Sequence, residues 1–325
     1  MAYRSFLKKF TCLVLCAALA ASFSACKGLE LEDKTEMIDE YSRAEAMIFV
    51  ANERNRYQNV YTQKVWEVKV NEAGDSFDRL MIQNVKEFLQ EVKLLNMLAE
   101  ERGVQLSSQE RDYVRQMTDA YFDSLTEADR AYIGCSREDV QEMYTQYCTA
   151  CKMTDIVTGS SGADISDSEV KVIKIMQIGT EDLKKAKAIL KKIKIDGAGF
   201  NSMASRYSET DQIEVKLKRG EKNDLIERTA FSLDEGKVSN ILFENGMYYI
   251  IMCTEGYDEA ATMQRKERIS MAMQSLRYEE VMGPYKAQHK IVFFDRFWND
   301  LDFRTESGSE VDSFFDIYNR FRGQI

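Results

Sequence analysis

Proline is nearly absent. One residue, Pro284, occurs in 325, where average usage of roughly 5% would place about 16. Collagen-like, polyproline-linker and mucin-stalk architectures are excluded. With 16 glycines, the low proline count favours long uninterrupted helices. Histidine is equally scarce: His289 stands alone. It has no partner histidine for a metal site or a triad, and its neighbours Gln288 and Lys290 read as a solvated surface. Basic residues are in deficit, 44 against 54 acidic, a formal charge of −10, which argues against a nucleic-acid binder. Beyond the N-terminus no segment approaches the 18 apolar residues of a membrane span. What remains is a chain 44% hydrophobic and 30% charged. That supports a real core, rules out general disorder, and suits about two domains.

The N-terminus reads as a processing signal. Arg4, Lys8 and Lys9 form a basic region, and Phe10 to Ala25 is an apolar stretch ending in small residues. It is too short for a comfortable span and fits a secretory core. Phe23-Ser24-Ala25-Cys26 resembles a bacterial lipobox, with Phe23 where that signal usually has leucine. The resemblance implies a signal peptide over 1–25 and makes Cys26 the first mature residue and the lipid site. An ordinary signal peptide is the alternative. Cleavage leaves 41 basic residues against 54 acidic. An anionic membrane should repel such a body, so the lipid is expected to hold it there.

Four cysteines lie beyond Cys26: Cys135, Cys148, Cys151 and Cys253. Cys148-Thr-Ala-Cys151 could suggest a redox pair or half a zinc site. A redox pair normally opens a helix, whose dipole lowers the thiol pKa. This one sits inside a helical pattern over 137–157, which favours structural cysteines on a helix face.

Residues 27–75 are polar at first, then carry mixed helix and strand signals around 44–61 and 65–70. From Phe77 to Arg102, Met81, Val85, Phe88, Val92, Leu95 and Ala99 recur at helical steps, and Gly103 marks the stop. Ser107 with Glu110 reads as a capping box opening the next helix, whose face is Val114, Met117, Tyr121 and Leu125. The Gly/Ser-rich run 158–163 is the clearest linker. After it, 169–178 alternates as a strand. Thr180-Glu-Asp reads as an N-cap, and Leu183, Ala186, Leu190 and Ile193 make a helical stripe. A short helix over 200–207 and strands at 213–217, 238–242 and 247–253 follow. The order implies a small α+β domain. A long charged helix over 258–285, an aromatic stretch at 291–303 and an amphipathic helix at 311–321 close the chain. Charge divides likewise: 166–258 holds 15 basic and 16 acidic residues, so the acidity sits in the ends.

Residues 170–253 resemble the parvulin family of peptidyl-prolyl isomerases. Gly197-Ala-Gly-Phe200-Asn-Ser-Met203-Ala204-Ser-Arg-Tyr207-Ser208 and Ala230-Phe231-Ser232-Leu233, with Gly236, Val238 and Ser239, are similar to two runs of that family. The flanks resemble the PrsA-like lipoproteins and SurA-like periplasmic proteins. The matching parts are 95–110 and 291–301 with Trp298. The resemblance implies a mainly helical body formed by both chain ends with an inserted parvulin-like domain, an α+β fold with a four-stranded antiparallel sheet and flanking helices. The domains expected are 26–160, 166–258 and 259–325, the last packing on the first.

Proline isomerisation needs no nucleophile. The barrier is about 18–20 kcal/mol of amide resonance, lowered by gripping the prolyl ring in a dry pocket that favours the twisted amide. Parvulins are expected to use two inward-facing histidines, a Cys or Asp, and an apolar ring pocket. By resemblance those positions fall on Lys174, Tyr249, Thr210, Glu214, Lys222 and Ile226. Charge would replace the prolyl clamp, at a desolvation cost, so the site reads as degenerate. The implied function is a lipid-anchored foldase or chaperone at the outer face of the bacterial cytoplasmic membrane. Its partners would be unfolded secreted polypeptides, with no cofactor, no metal and no nucleic acid. The alternatives are an active isomerase using non-standard pocket residues, and a structural or binding lipoprotein of the cell envelope. Mass spectrometry of the mature N-terminus is expected to find a diacylglyceryl group on Cys26; an unmodified terminus elsewhere contradicts the lipobox.

Overall fold

A computed structural model describes residues 36–159, 165–222 and 224–323. Cys26 and most of the 158–163 linker lie outside the described residues. The described residues divide into two compact units, one of 36–159 with 275–323 and one within 165–274.

The first unit opens with strand β1 (Glu36–Asp39), then helices α1 (Arg43–Tyr61), α2 (Phe77–Glu101), α3 (Ser108–Ser124), α4 (Glu127–Ile133) and α5 (Arg137–Thr158). The mixed signals at 44–61 resolve into one helix, because Ala46 to Asn55 are buried all round and leave no amphipathic stripe. The mixed signals at 65–70 correspond to a 3-10 turn, Gln63–Glu67, followed by a single bridge between Lys69 and Ser76. The turn inserts Trp66 between Tyr57, Phe77 and Phe303. The capping box read from sequence is present: the Ser107 hydroxyl accepts from the Glu110 N–H at 3.2 Å, and the Ser107 N–H donates back to the Glu110 carboxylate at 2.5 Å. The same pairing opens α1, α4 and α5.

The C-terminal elements belong to this unit. The long helix α9 (Glu259–Gln288) runs out of the second unit, so the boundary falls inside it rather than at residue 258. After it come β6 (His289–Val292), α10 (Asp295–Asp300) and α11 (Phe314–Phe321). Strand β6 pairs in parallel with β1, Ile38 opposite Ile291. The Trp298 indole donates to Glu40 at 2.6 Å. His289 is not on a solvated surface. It is buried, with Nδ1 2.8 Å from the Tyr285 carbonyl and its ring against Tyr285. Cys148 and Cys151 lie on α5 as free thiols, and burial pushes both pKa values up. That is the opposite of redox activation.

Residues 301–313 cross the first unit as an irregular segment with a turn at 303–305, gripped by polar side chains of α1. The buried Arg54 guanidinium donates to the Phe303 carbonyl at 3.1 Å, the Thr305 carbonyl at 2.7 Å and the Ser307 hydroxyl at 2.9 Å. Asn55 donates to the Val311 carbonyl and the Ser309 hydroxyl, both at 2.9 Å. The Asn52 side-chain oxygen accepts the Phe314 N–H at 3.0 Å. From α4, Asp129 accepts from the Ser309 hydroxyl and the N–H groups of Glu310 and Val311. The clip delivers Phe314 to the core, stacked on Tyr144 at 4.0 Å between ring centroids.

The second unit holds β2 (Val172–Thr180), α6 (Leu183–Lys194), α7 (Phe200–Tyr207), β3 (Glu214–Lys218), α8 (Leu225–Ala230), β4 (Leu242–Glu244) and β5 (Met247–Glu255). The sheet is four-stranded and antiparallel, in the order β3-β2-β5-β4. The α+β architecture is therefore the observed one. Two local details differ from the sequence reading. The N-cap of α6 is Asp182, which accepts the Lys184 and Lys185 N–H groups, rather than Thr180. The strand expected at 238–242 reduces to one bridge, Val238 to Met252, before the short β4.

Arg54→Met keeps most of the stem volume but removes the donors to two carbonyls. It is expected to destabilise the first unit by about 3 kcal/mol. Tryptophan fluorescence in denaturant reads this directly, since Trp66 and Trp298 are both buried in that unit. An unchanged midpoint would deny the clip its role.

Candidate functional site

The sheet has two unlike faces, because side chains alternate along a strand. Met176 and Ile178 of β2 and Ile250 of β5 face α6 and α7, packing on Ile189, Phe200, Met203 and Ala204. Phe200, Met203 and Ala204 come from the motif that carries the family resemblance, and they are core residues. The opposite face presents Ile173 and Ile175, Leu217 and Ile251, covered in part by Ala230 and Ile226 of α8. This second face holds part of the expected pocket.

The six positions do not gather at one point. Lys174 and Gly179 lie five residues apart on β2, about 17 Å along the strand and on opposite faces. Lys174 belongs to an ion cluster at one end. Its ammonium is 2.5 Å from Glu255 and 3.4 Å from Asp258, and Lys216 reaches Asp258 at 3.0 Å. Asp258 also caps α9, accepting the Ala261 N–H at 3.1 Å. The Asp258 N–H donates to the Val172 carbonyl at 2.8 Å. Lys216, then the Ala261 N–H and Lys174, hold the Asp258 carboxyl down at about 2. Glu255, with Asp258, holds the Lys174 ammonium above its ordinary value. These groups join strand ends to a helix start.

At the other end of β2, Thr210 and Tyr249 meet over Gly179. Tyr249 pairs with Gly179 across the ladder, and its hydroxyl lies 3.6 Å from the Met247 sulfur. A Cβ at Gly179 would stand 2.5 Å from Thr210 Cγ2, 3.1 Å from the Tyr249 ring and 3.3 Å from Met247 Cε. Only glycine allows this approach. The Thr210 hydroxyl is engaged by Ser208 at 2.8 Å and by the Gln212 carbonyl at 3.0 Å. The space over the strand is filled by the protein's own side chains.

The remaining three positions diverge. Glu214 is exposed on the edge strand β3, opposite Met176. Lys222 is exposed, and its backbone N–H donates to the buried Glu227 carboxylate at 2.8 Å. Ile226 is half-buried against the Ile173–Ile251 cluster. Sequence reasoning missed Gly179, Glu227 and Asp258. Gly179 alone left a signal, a glycine inside an alternating strand. Among the described residues no His, Cys, Asp and Glu side chains group as a metal site.

The Asp258 cluster makes a pH prediction. Its folded pKa of about 2 lies below the ordinary 3.8, so its stabilisation is complete above about pH 5 and is lost as pH falls through 2. Asp258→Asn is expected to lower the melting temperature of the second unit at neutral pH. The gap from wild type should close toward pH 2 in circular dichroism melts. A gap that persists unchanged at pH 2 would contradict the ion cluster.

No protein-family profile matches the chain, and no curated protein matches it. Solved structures do. The foldase protein PrsA from Streptococcus pneumoniae is 16% identical, aligned over 73% of this chain and 99% of its own, with a TM-score of 0.27. PrsA from Bacillus subtilis is 20% identical over 73% of this chain and 100% of its own, with a TM-score of 0.26. A structure of SurA-like chaperones from Campylobacter jejuni is 11% identical over 63% and 86%, also with a TM-score of 0.26. The chain is similar to PrsA- and SurA-like foldase chaperones, and its fold class rests on the topology described above.

Proposed function

We propose that this chain is an extracytoplasmic foldase or chaperone with a degenerate isomerase site. A lipid on Cys26 would hold it at the outer face of the cytoplasmic membrane, where it would receive unfolded secreted polypeptides. The observation that carries the reading is the state of the positions where the resemblance expects histidines. One is Lys174, ion-paired to Glu255, and the other is Tyr249, packed over Gly179 at the far end of the strand and on the opposite face. A prolyl ring needs an open apolar seat there, and neither arrangement supplies one. Among the described residues no helix is long and apolar enough to cross a membrane.

Client holding would rely on apolar side chains outside that face. In the second unit helix α9 supplies them: Met263 is 63% exposed. Ile269, Met271 and Met273 of the same helix are half-buried. Unbranched thioethers adapt to varied apolar chains. Extended polypeptide rich in apolar residues is the substrate class such a surface fits.

One pair of assays tests the reading. Prolyl-peptide isomerisation should proceed near its uncatalysed rate, roughly tens to hundreds of seconds at 25 °C, and Tyr249→Phe should not change it. Suppression of client aggregation should be strong in wild type, should survive Lys174→Ala, and should fall several-fold in Met263→Ser/Met273→Ser. Fast isomerisation abolished by Tyr249→Phe would instead make this an active enzyme. Absence of client holding would remove the chaperone reading.

A further inference from the structure

Positive charge is concentrated on one helix of the second unit. Helix α6 has twelve residues, of which six are lysines and none is acidic. Elsewhere acidic and basic side chains pair within a turn, as in Arg56–Glu53, Arg115–Asp112 and Lys218–Glu221. In a chain with ten excess acidic charges, an uninterrupted basic helix runs against the composition.

The six lysines fall into two groups. Lys185 is paired with Glu209 at 2.5 Å, and Lys192 lies over the Tyr207 ring at 5.4 Å. The other four stand in one row. Steps of three, four and three residues stack Lys184, Lys187, Lys191 and Lys194 along a single side of the helix. That side is turned away from Ala186 and Ile189, which are buried. All four are exposed. Among the described residues Lys184, Lys187 and Lys191 have no acidic partner, and Lys194 touches only the neutral Asn240, at 3.1 Å. Two apolar side chains end the row: Leu183 is 37% exposed and Ile195 is 73% exposed. Ile195 follows Lys184 by three turns, so it lies on the same side.

We propose that this face of α6 docks on anionic phospholipid headgroups of the membrane. Ammonium groups in a row match a plane of phosphates. Exposed apolar residues at the ends suit the headgroup–acyl boundary that amphipathic basic helices occupy. The inference rests on the reading of Cys26 as a lipid site only in placing that membrane beside the chain. It adds a second, electrostatic contact to a body whose net charge alone would be repelled. It thereby gives one side of the second unit a preference for the membrane.

The test uses the chain from residue 26 with Cys26→Ser, so that no lipid contributes. It is sedimented with vesicles of phosphatidylcholine alone or mixed with phosphatidylglycerol. Binding is expected only to the mixed vesicles and is expected to weaken with salt. Each lysine near such a surface contributes roughly fivefold, so Lys184→Gln/Lys187→Gln/Lys191→Gln should lower binding about a hundredfold. Lys185→Gln should leave it nearly unchanged. The triple variant should melt as wild type does, because its altered side chains have no acidic partner to lose. Equal binding to both vesicle types, or wild-type binding by the triple variant, overturns the proposal. So does salt-dependent self-association, lost in the triple variant, without vesicle binding; the row would then serve a second copy. The N-terminal mass reports lipidation of Cys26 separately, so failure here leaves that reading standing.

Discussion

The buried guanidinium of Arg54 is the interaction on which the first unit depends. It sits on a helix with no solvent-facing side over Ala46–Asn55. Its donors go to backbone carbonyls of a segment about 250 residues downstream. A buried charge without partners would be strongly unfavourable. The helix can therefore be buried only when residues 303–307 are in place. Asn52, Asn55 and Asp129 extend the same dependence to residues 309–314. That segment lies outside any sheet, so its backbone groups have no strand partner, and these side chains supply partners for several of them. The two chain ends thus form one core, which includes the aromatic cluster around Phe314, Tyr144 and Phe49.

The second unit is organised by a different constraint, the unlike faces of a small sheet. One face is sealed by α6 and α7 through aliphatic and aromatic packing. The other is only partly covered by α8, and at its far end Gly179 admits Thr210, Tyr249 and Met247 close to the backbone. A face built this way closes on itself. The ion cluster at Asp258 lies at the opposite end of β2 and ties the sheet to the start of α9. The residues on which the sequence resemblance rests, Phe200, Met203 and Ala204, are core residues, while Lys174 is ion-paired and Tyr249 is packed over Gly179.

Much of the outline was legible in the residues. The stripe from Met81 to Ala99, the Gly103 stop and the Ser107–Glu110 capping box mark α2 and α3 closely, because those signals are local and of one period. The alternation at 169–178 and the stripe from Leu183 to Ile193 do the same for β2 and α6. What failed were the places where burial is two-sided or the partner is distant. Helix α1 has no polar face to set a period. Trp66 sits in a 3-10 turn that resembles a strand in composition. His289 looked solvated from its neighbours, yet Tyr285 buries it from the preceding turn. Strand β1 is defined by β6, some 250 residues away.

The sequence by itself determined the helical character of both ends, the α+β character of the middle, the acidic balance and the reading of Cys26 as a lipid site. Each of these follows from composition, from short-range periodicity or from a short motif. Tertiary structure alone decided three things. It placed residues 301–313 as a clip under α1, because only long-range hydrogen bonds can satisfy an irregular segment outside a sheet. It separated Lys174 from Tyr249 by the length and alternation of one strand. It left four lysines of α6 in a row without acidic partners while Lys185 found Glu209, since ion pairing depends on what packs beside a helix and not on the charges within it.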